Sequence, residues 1–88
     1  MPIDNTTIVI TGAASGIGLA TAMLAAQRGA SVVLFDLDAA ALDRAAASLP
    51  DGRVATVAAD VTSPAGHADA VRAAVDAFGG FDAWVNNA

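Results

Sequence analysis

The sequence predicts an α/β fold, a doubly wound parallel sheet, and three observations carry that prediction. Short β-branched and apolar runs alternate with longer alanine-rich stretches, giving the order βαβαβαβ. The strand-like runs are apolar on both faces, as strands covered by helices on both sides must be. The connections between them are short and are marked by Gly, Pro, Asp and Ser.

Each element follows from its residues. Thr7-Ile8-Val9-Ile10-Thr11 is a β-branched run ended by Gly12, as expected of a buried strand. Residues 16–28 are rich in Ala with larger apolar side chains at Ile17 and Leu24, and Gly29 stops them as a C-terminal cap. Residues 31–35 form a second buried strand that ends at Asp36. Asp38 caps a helix running through Leu42 and Ala46 to Leu49, closed off by Pro50. Asp51-Gly52 makes a turn into a third strand at residues 54–59, weaker for its alanines. Ser63 is an N-cap with Pro64 in the first helical position, and that helix continues through Val71 and Val75 to Phe78. Gly79-Gly80 closes it, and residues 81–86 make a fourth strand. Right-handed crossovers put the first two helices on one face of the sheet. A reversal at the third crossover gives the strand order 3-2-1-4 and sends the last helix to the opposite face.

Composition narrows the function. The 88 residues make one small domain, and 24 of them are Ala, which leaves few large side chains for a core. Charge is carried by nine Asp and four Arg, for a net charge of −5, which argues against nucleic acid or an anionic membrane as a partner. There is no Cys, so neither disulfide nor thiolate chemistry is available. The first residues carry no basic side chain and glycines interrupt the first apolar stretch, so no signal peptide or membrane span is expected and a cytoplasmic location is.

Gly12-Ala13-Ala14-Ser15-Gly16-Ile17-Gly18 lies between the first strand and the first helix, where a dinucleotide site belongs. A Gly at the strand exit permits a tight turn, the next lets the backbone approach a pyrophosphate, and the third lets helix and strand pack closely. The helix N-terminus adds unpaired N–H groups and roughly half a positive charge. No Lys follows the last Gly, which excludes a Walker-type phosphate loop. Asp36 comes 18 residues after Gly18, near the spacing of about 20 expected of an acid that accepts from the adenosine ribose hydroxyls. A carboxylate there repels a 2′-phosphate, and the neighbouring Ala14, Ser15 and Leu37 offer no positive charge, so NAD is expected rather than NADP.

Thr11-Gly12-Ala13-Ala14-Ser15-Gly16-Ile17-Gly18 resembles the TGxxxGxG motif of the short-chain dehydrogenase/reductase family. Asp60-Val61 after the third strand and Asn86-Asn87-Ala88 after the fourth resemble two further signatures of that family, in the same order. The resemblance spans the whole chain and matches the N-terminal third or so of a typical member, the NAD-binding part of a Rossmann-type domain. It implies that Gly12, Ser15, Gly16, Ile17 and Gly18 surround the pyrophosphate and that Asp36 holds the adenosine ribose. It places Asp60 (side chain) and Val61 (backbone) on the adenine, has Asn87 and Ala88 line the cofactor's path, and uses Asn86 to tie the central strands together. It further implies an oxidoreductase moving hydride between NAD and a secondary alcohol or ketone, as a homo-oligomer.

One departure is large. The family's chemistry rests on a Ser and a Tyr-x-x-x-Lys pair, the Tyr acting as acid or base, and this sequence has no Tyr and no Lys. No catalytic residue is therefore assigned, and the 88 residues alone are expected to be inactive, the N-terminal part of a larger enzyme. A second reading is a nucleotide-binding module without a reaction of its own, pairing with itself through the fourth strand.

Other residues read as structural. His67 is expected to be a solvated helix residue, since no second metal ligand stands at useful spacing, and no metal site is expected. Trp84 is expected in the core, and Arg72 between Asp69 and Asp76 suggests surface pairing. The fourth strand is expected to leave an open apolar edge, favouring association.

Overall fold

The computed structural model describes residues 5–50 and 52–87. Its elements are β1 (Thr7–Thr11), α1 (Gly16–Gln27), β2 (Ser31–Asp36), α2 (Ala39–Ala47), β3 (Val54–Ala58), α3 (Pro64–Phe78) and β4 (Ala83–Val85). The four strands form one sheet in the order β3-β2-β1-β4, and every pairing is parallel. This is the Rossmann-type arrangement, in part, with the strand order expected from the sequence.

Alternation along the strands sorts the core into two layers. Ile10, Val32 and Leu34 point to one face and are covered by α1 and α2 through Ala22, Ala25, Ala26, Leu42 and Ala45. Val9, Val33, Phe35 and Val57 point to the other, where α3 covers them with Ala70 and Ala74. Phe35, Ile10, Leu34 and Leu42 are the largest fully buried side chains. The alanines let the helices sit close to the sheet, so they serve the packing more than they weaken it.

The caps follow the sequence. Asp38 accepts the Ala41 N–H at 3.0 Å and Ser63 accepts the Gly66 N–H at 3.2 Å. Pro64 opens α3, and Gly79 ends it in the left-handed conformation at φ 83°. The element ends differ modestly. α1 stops at Gln27, with Arg28 as its cap, and α2 stops at Ala47, because the Ser48 hydroxyl donates to the Ala45 carbonyl at 2.8 Å and draws the chain out of the helix. Leu49 lies beyond the helix yet remains buried. β3 ends one residue early at Ala58, and β4 is three residues long, Ala83–Val85, shorter than the run expected at residues 81–86. Of the expected Asp51-Gly52 turn, Asp51 lies outside the described residues, and Gly52 has φ 83°.

Candidate functional site

The register brings the carboxyl ends of the strands level: Thr11 pairs with Phe35, Asp36 with Ala58, and Ile10 with Val85. The residues just beyond these ends make up the site. Ligands of open parallel sheets bind at this end, beside the point where the strand order reverses, here between β1 and β4. A cavity of about 300 Å³ near Thr7, Phe78, Phe81 and Asp82 lies at the opposite end of the sheet and is unrelated to it.

The glycine turn has the geometry that its sequence requires. Gly12 and Gly16 adopt φ 61° and 58°, the left-handed region that side chains disfavour. A Cβ at Gly18 would collide with the Gly12 carbonyl oxygen and lie 2.8 Å from the Asn87 amide nitrogen. Gly18 is thus the place where α1, the turn and the end of β4 converge. A Cβ at Gly16, by contrast, would meet nothing within 4 Å, so that stretch of backbone presents a bare surface. Ser15 caps α1 in extended conformation without spending its hydroxyl on the helix, and Ser15, Gly16 and Ile17 are all exposed. A bare backbone, an unused hydroxyl and an open helix N-terminus together suit a diphosphate.

Asp36 is half-buried at the end of β2, and its carboxylate does more than the sequence indicates. Oδ2 accepts the Ala14 N–H at 3.1 Å, and Oδ1 accepts the Leu37 N–H at 2.7 Å. The side chain thereby ties the end of β2 to the glycine turn. A lone pair on Oδ2 remains for an outside donor.

Thr11, fully buried, is legible in the sequence as the end of a strand and the start of the glycine motif, with no bonding role assigned to it. Its hydroxyl accepts the Asn87 N–H at 2.8 Å and donates to Asn86 Oδ1 at 3.1 Å. This bond carries out the tie between central strands expected of Asn86, and it sets Asn87 beside Gly18. Ala88 lies outside the described residues.

Asp60 is exposed beyond β3. Its Oδ1 accepts from the Thr62 hydroxyl at 2.6 Å and from the Thr62 N–H at 2.8 Å, and these bonds hold its carboxyl below the usual range. Val61 is half-buried, and its carbonyl accepts from His67 Nε2. His67 corrects the sequence reading: it is not a solvated helix residue. Its ring packs against Phe35 and Trp84 with centroids 5.8 and 5.2 Å away. Trp84 is half-buried in the same layer, as expected of a core residue. Asp69 pairs with Arg72 at 3.3 Å on the surface of α3.

A family model for short chain dehydrogenases matches residues 6–88. The chain belongs to the short-chain dehydrogenase family. It is 40% identical over 88 residues to meso-2,3-butanediol dehydrogenase of Serratia marcescens, an alignment covering 100% of this chain and 35% of that protein. L-sorbose reductase from Gluconobacter frateurii, solved with NADPH and L-sorbose, matches with a TM-score of 0.90 and 42% identity over 100% of this chain and 35% of its own. A 3-ketoacyl-(acyl-carrier-protein) reductase from Brucella melitensis, solved with NADH, matches with a TM-score of 0.88 and 38% identity over 93% of this chain and 34% of its own. The chain spans about a third of the length of these relatives. Short-chain dehydrogenases are oxidoreductases that bind a nicotinamide cofactor, and both NADH and NADPH occur among these relatives. Among the described residues no helix is long and apolar enough to cross a membrane, and no group of three or more His, Cys, Asp or Glu could hold a metal ion.

Proposed function

We propose that residues 1–88 are the NAD-binding N-terminal part of an oxidoreductase that moves hydride between NAD and a secondary alcohol or ketone. The observation that carries this reading is the Asp36 carboxylate, fixed beside the glycine turn by its bond to Ala14 N–H at 3.1 Å. From there it accepts from the adenosine ribose hydroxyls and repels the 2′-phosphate that distinguishes NADP. The backbone at Gly12, Gly16, Ile17 and Gly18 and the Ser15 hydroxyl hold the diphosphate. Asp60 and the Val61 backbone meet the adenine edge: a carboxylate acceptor next to an N–H donor complements an amino donor next to a ring nitrogen. Asn87 and Ala88 line the path toward the nicotinamide.

The bound cofactor supplies the hydride acceptor or donor. The chain itself has no Tyr and no Lys, so its contribution is binding and orientation, and the 88 residues alone transfer no hydride. The whole enzyme is taken to be a cytoplasmic homo-oligomer acting on a small alcohol or ketone.

Calorimetric titration of the full-length protein with NAD and NADP tests the cofactor reading. NAD should bind more tightly, and Asp36→Ala should weaken NAD about 10- to 100-fold, the range for losing a charge-assisted hydrogen bond. Tighter binding of NADP by the unaltered protein would overturn it.

A further inference from the structure

The glycine turn is seated at both ends and tied at one point between them. Gly12 leaves β1 and Gly16 enters α1 at φ 61° and 58°, so two joints of high conformational freedom bracket residues 13–15. At the first end the Gly12 carbonyl lies against Gly18, and at the second the Ser15 carbonyl accepts the Leu19 N–H of α1 at 3.3 Å. Ala13 is fully buried, which fixes its methyl group but leaves the peptide after it free to turn. Among the described residues, one hydrogen bond reaches residues 13–15 from elsewhere in the fold. It runs from the Ala14 N–H to Asp36 Oδ2 at 3.1 Å.

Asp36 is itself firmly placed. It ends β2 directly after the fully buried Leu34 and Phe35, and its Oδ1 accepts the Leu37 N–H at 2.7 Å. The carboxylate therefore bridges a rigid strand end and the middle of a soft turn. We infer that Asp36 is a positioning residue for the diphosphate: by holding the Ala13–Ala14 peptide, it keeps the turn in the form that leaves Ser15, Gly16 and Ile17 exposed at the start of α1 before any ligand arrives. The inference rests on reading the turn as the diphosphate site, and it is separate from the part Asp36 plays at the ribose. When the receptive form is only partly populated, apparent affinity falls by that fraction. Losing the bond to Ala14 thus costs affinity for a ligand that never touches Asp36. Charge alone predicts the reverse, since removing a carboxylate near an anion site relieves repulsion and tightens binding.

Inorganic pyrophosphate, which has no ribose, separates the two effects. Its binding to the full-length protein is followed by the backbone amide shifts of Gly16 and Ile17. Asp36→Ala removes both the charge and the tie, whereas Asp36→Asn removes the charge and keeps an acceptor oxygen for the Ala14 N–H. Asp36→Ala should weaken pyrophosphate about three- to tenfold, the range for one hydrogen bond, while Asp36→Asn binds it as tightly as the unaltered protein or more so. Pyrophosphate binding unchanged or tighter in Asp36→Ala, or weakened equally in both variants, would overturn the inference. If the unaltered protein does not bind pyrophosphate, the diphosphate reading fails and this inference with it. A preference of the unaltered protein for NADP, by contrast, would strike only the ribose reading, and the order of the variants toward pyrophosphate would still decide this one. Should Asp36→Ala not fold, Asp36→Ser replaces it, because its short hydroxyl falls short of Ala14. It should weaken pyrophosphate where Asp36→Asn does not, and equal binding by the two would overturn the inference.

Discussion

Asp60 illustrates how one exposed side chain can be tuned by its neighbours. The Thr62 hydroxyl first, and the Thr62 amide second, stabilise its ionised form against an opposing effect of desolvation, holding its pKa below the ordinary 3.8. Because the folded-state pKa is depressed, the stabilising contribution of these bonds is complete above the ordinary value. It is lost as pH falls through the lower, folded-state value. An NMR titration of the Asp60 carboxyl should give a midpoint below 3.8, and Thr62→Ala should return it toward that value. A midpoint at or above 3.8 in the unaltered protein would show that the turn is not formed in solution. The acid and its place after the third strand were legible in the sequence. Its bonds to Thr62 were not, since Asx-type contacts depend on backbone angles that composition does not specify.

At the scale of elements, the contrast lies between helices that pack through alanine and helices that pack through leucine. α1 meets the sheet through Ala22, Ala25 and Ala26, of which Ala22 and Ala26 are almost wholly buried. α2 inserts Leu42, 1% exposed, into the same layer. Enlarging one and truncating the other should both destabilise, for opposite reasons. Ala26→Leu overfills a close contact, at a cost of about 1–3 kcal/mol. Leu42→Ala opens a cavity, at a cost of about 2–5 kcal/mol. Urea denaturation of the full-length protein measures both, and an unchanged midpoint in either variant would mean that its helix does not pack as described. Here the sequence specified the elements well and their ends less well. α2 ends early because a serine side chain, Ser48, competes for a carbonyl, and the pattern of apolar residues does not register such competition.

Seen as a whole, the molecule is finished on one side and open on another. Two helices cover one face of the sheet and one helix covers the other. β4 pairs with β1 along one edge and has no further strand beside it among the described residues. Near that edge Phe81 is 41% exposed, and on α3 Val71 and Val75 are 38% and 51% exposed. An unpaired edge strand beside exposed apolar side chains favours association. Residues 1–88 taken alone should therefore self-associate as concentration rises, which sedimentation equilibrium measures. A monomer at high concentration with a cooperative melt would show that this surface is tolerated without a cover.

The sequence by itself determined the order of elements, the parallel sheet, the glycine turn and the acid at the end of β2. Each is a local matter of periodicity, of a residue free to take positive φ, or of a fixed spacing. Tertiary structure alone decided which polar groups meet across the fold. Thr11 became a hub because the register sets it opposite the end of β4, 76 residues away from Asn87 in sequence. Asp36 gained a second task because β2 and the turn after β1 lie side by side. His67, solvated by any reading of its helix in isolation, became half-buried against two rings because α3 crosses Phe35 and Trp84. Contacts between residues distant in the chain depend on how the layers register, and no local pattern encodes that register.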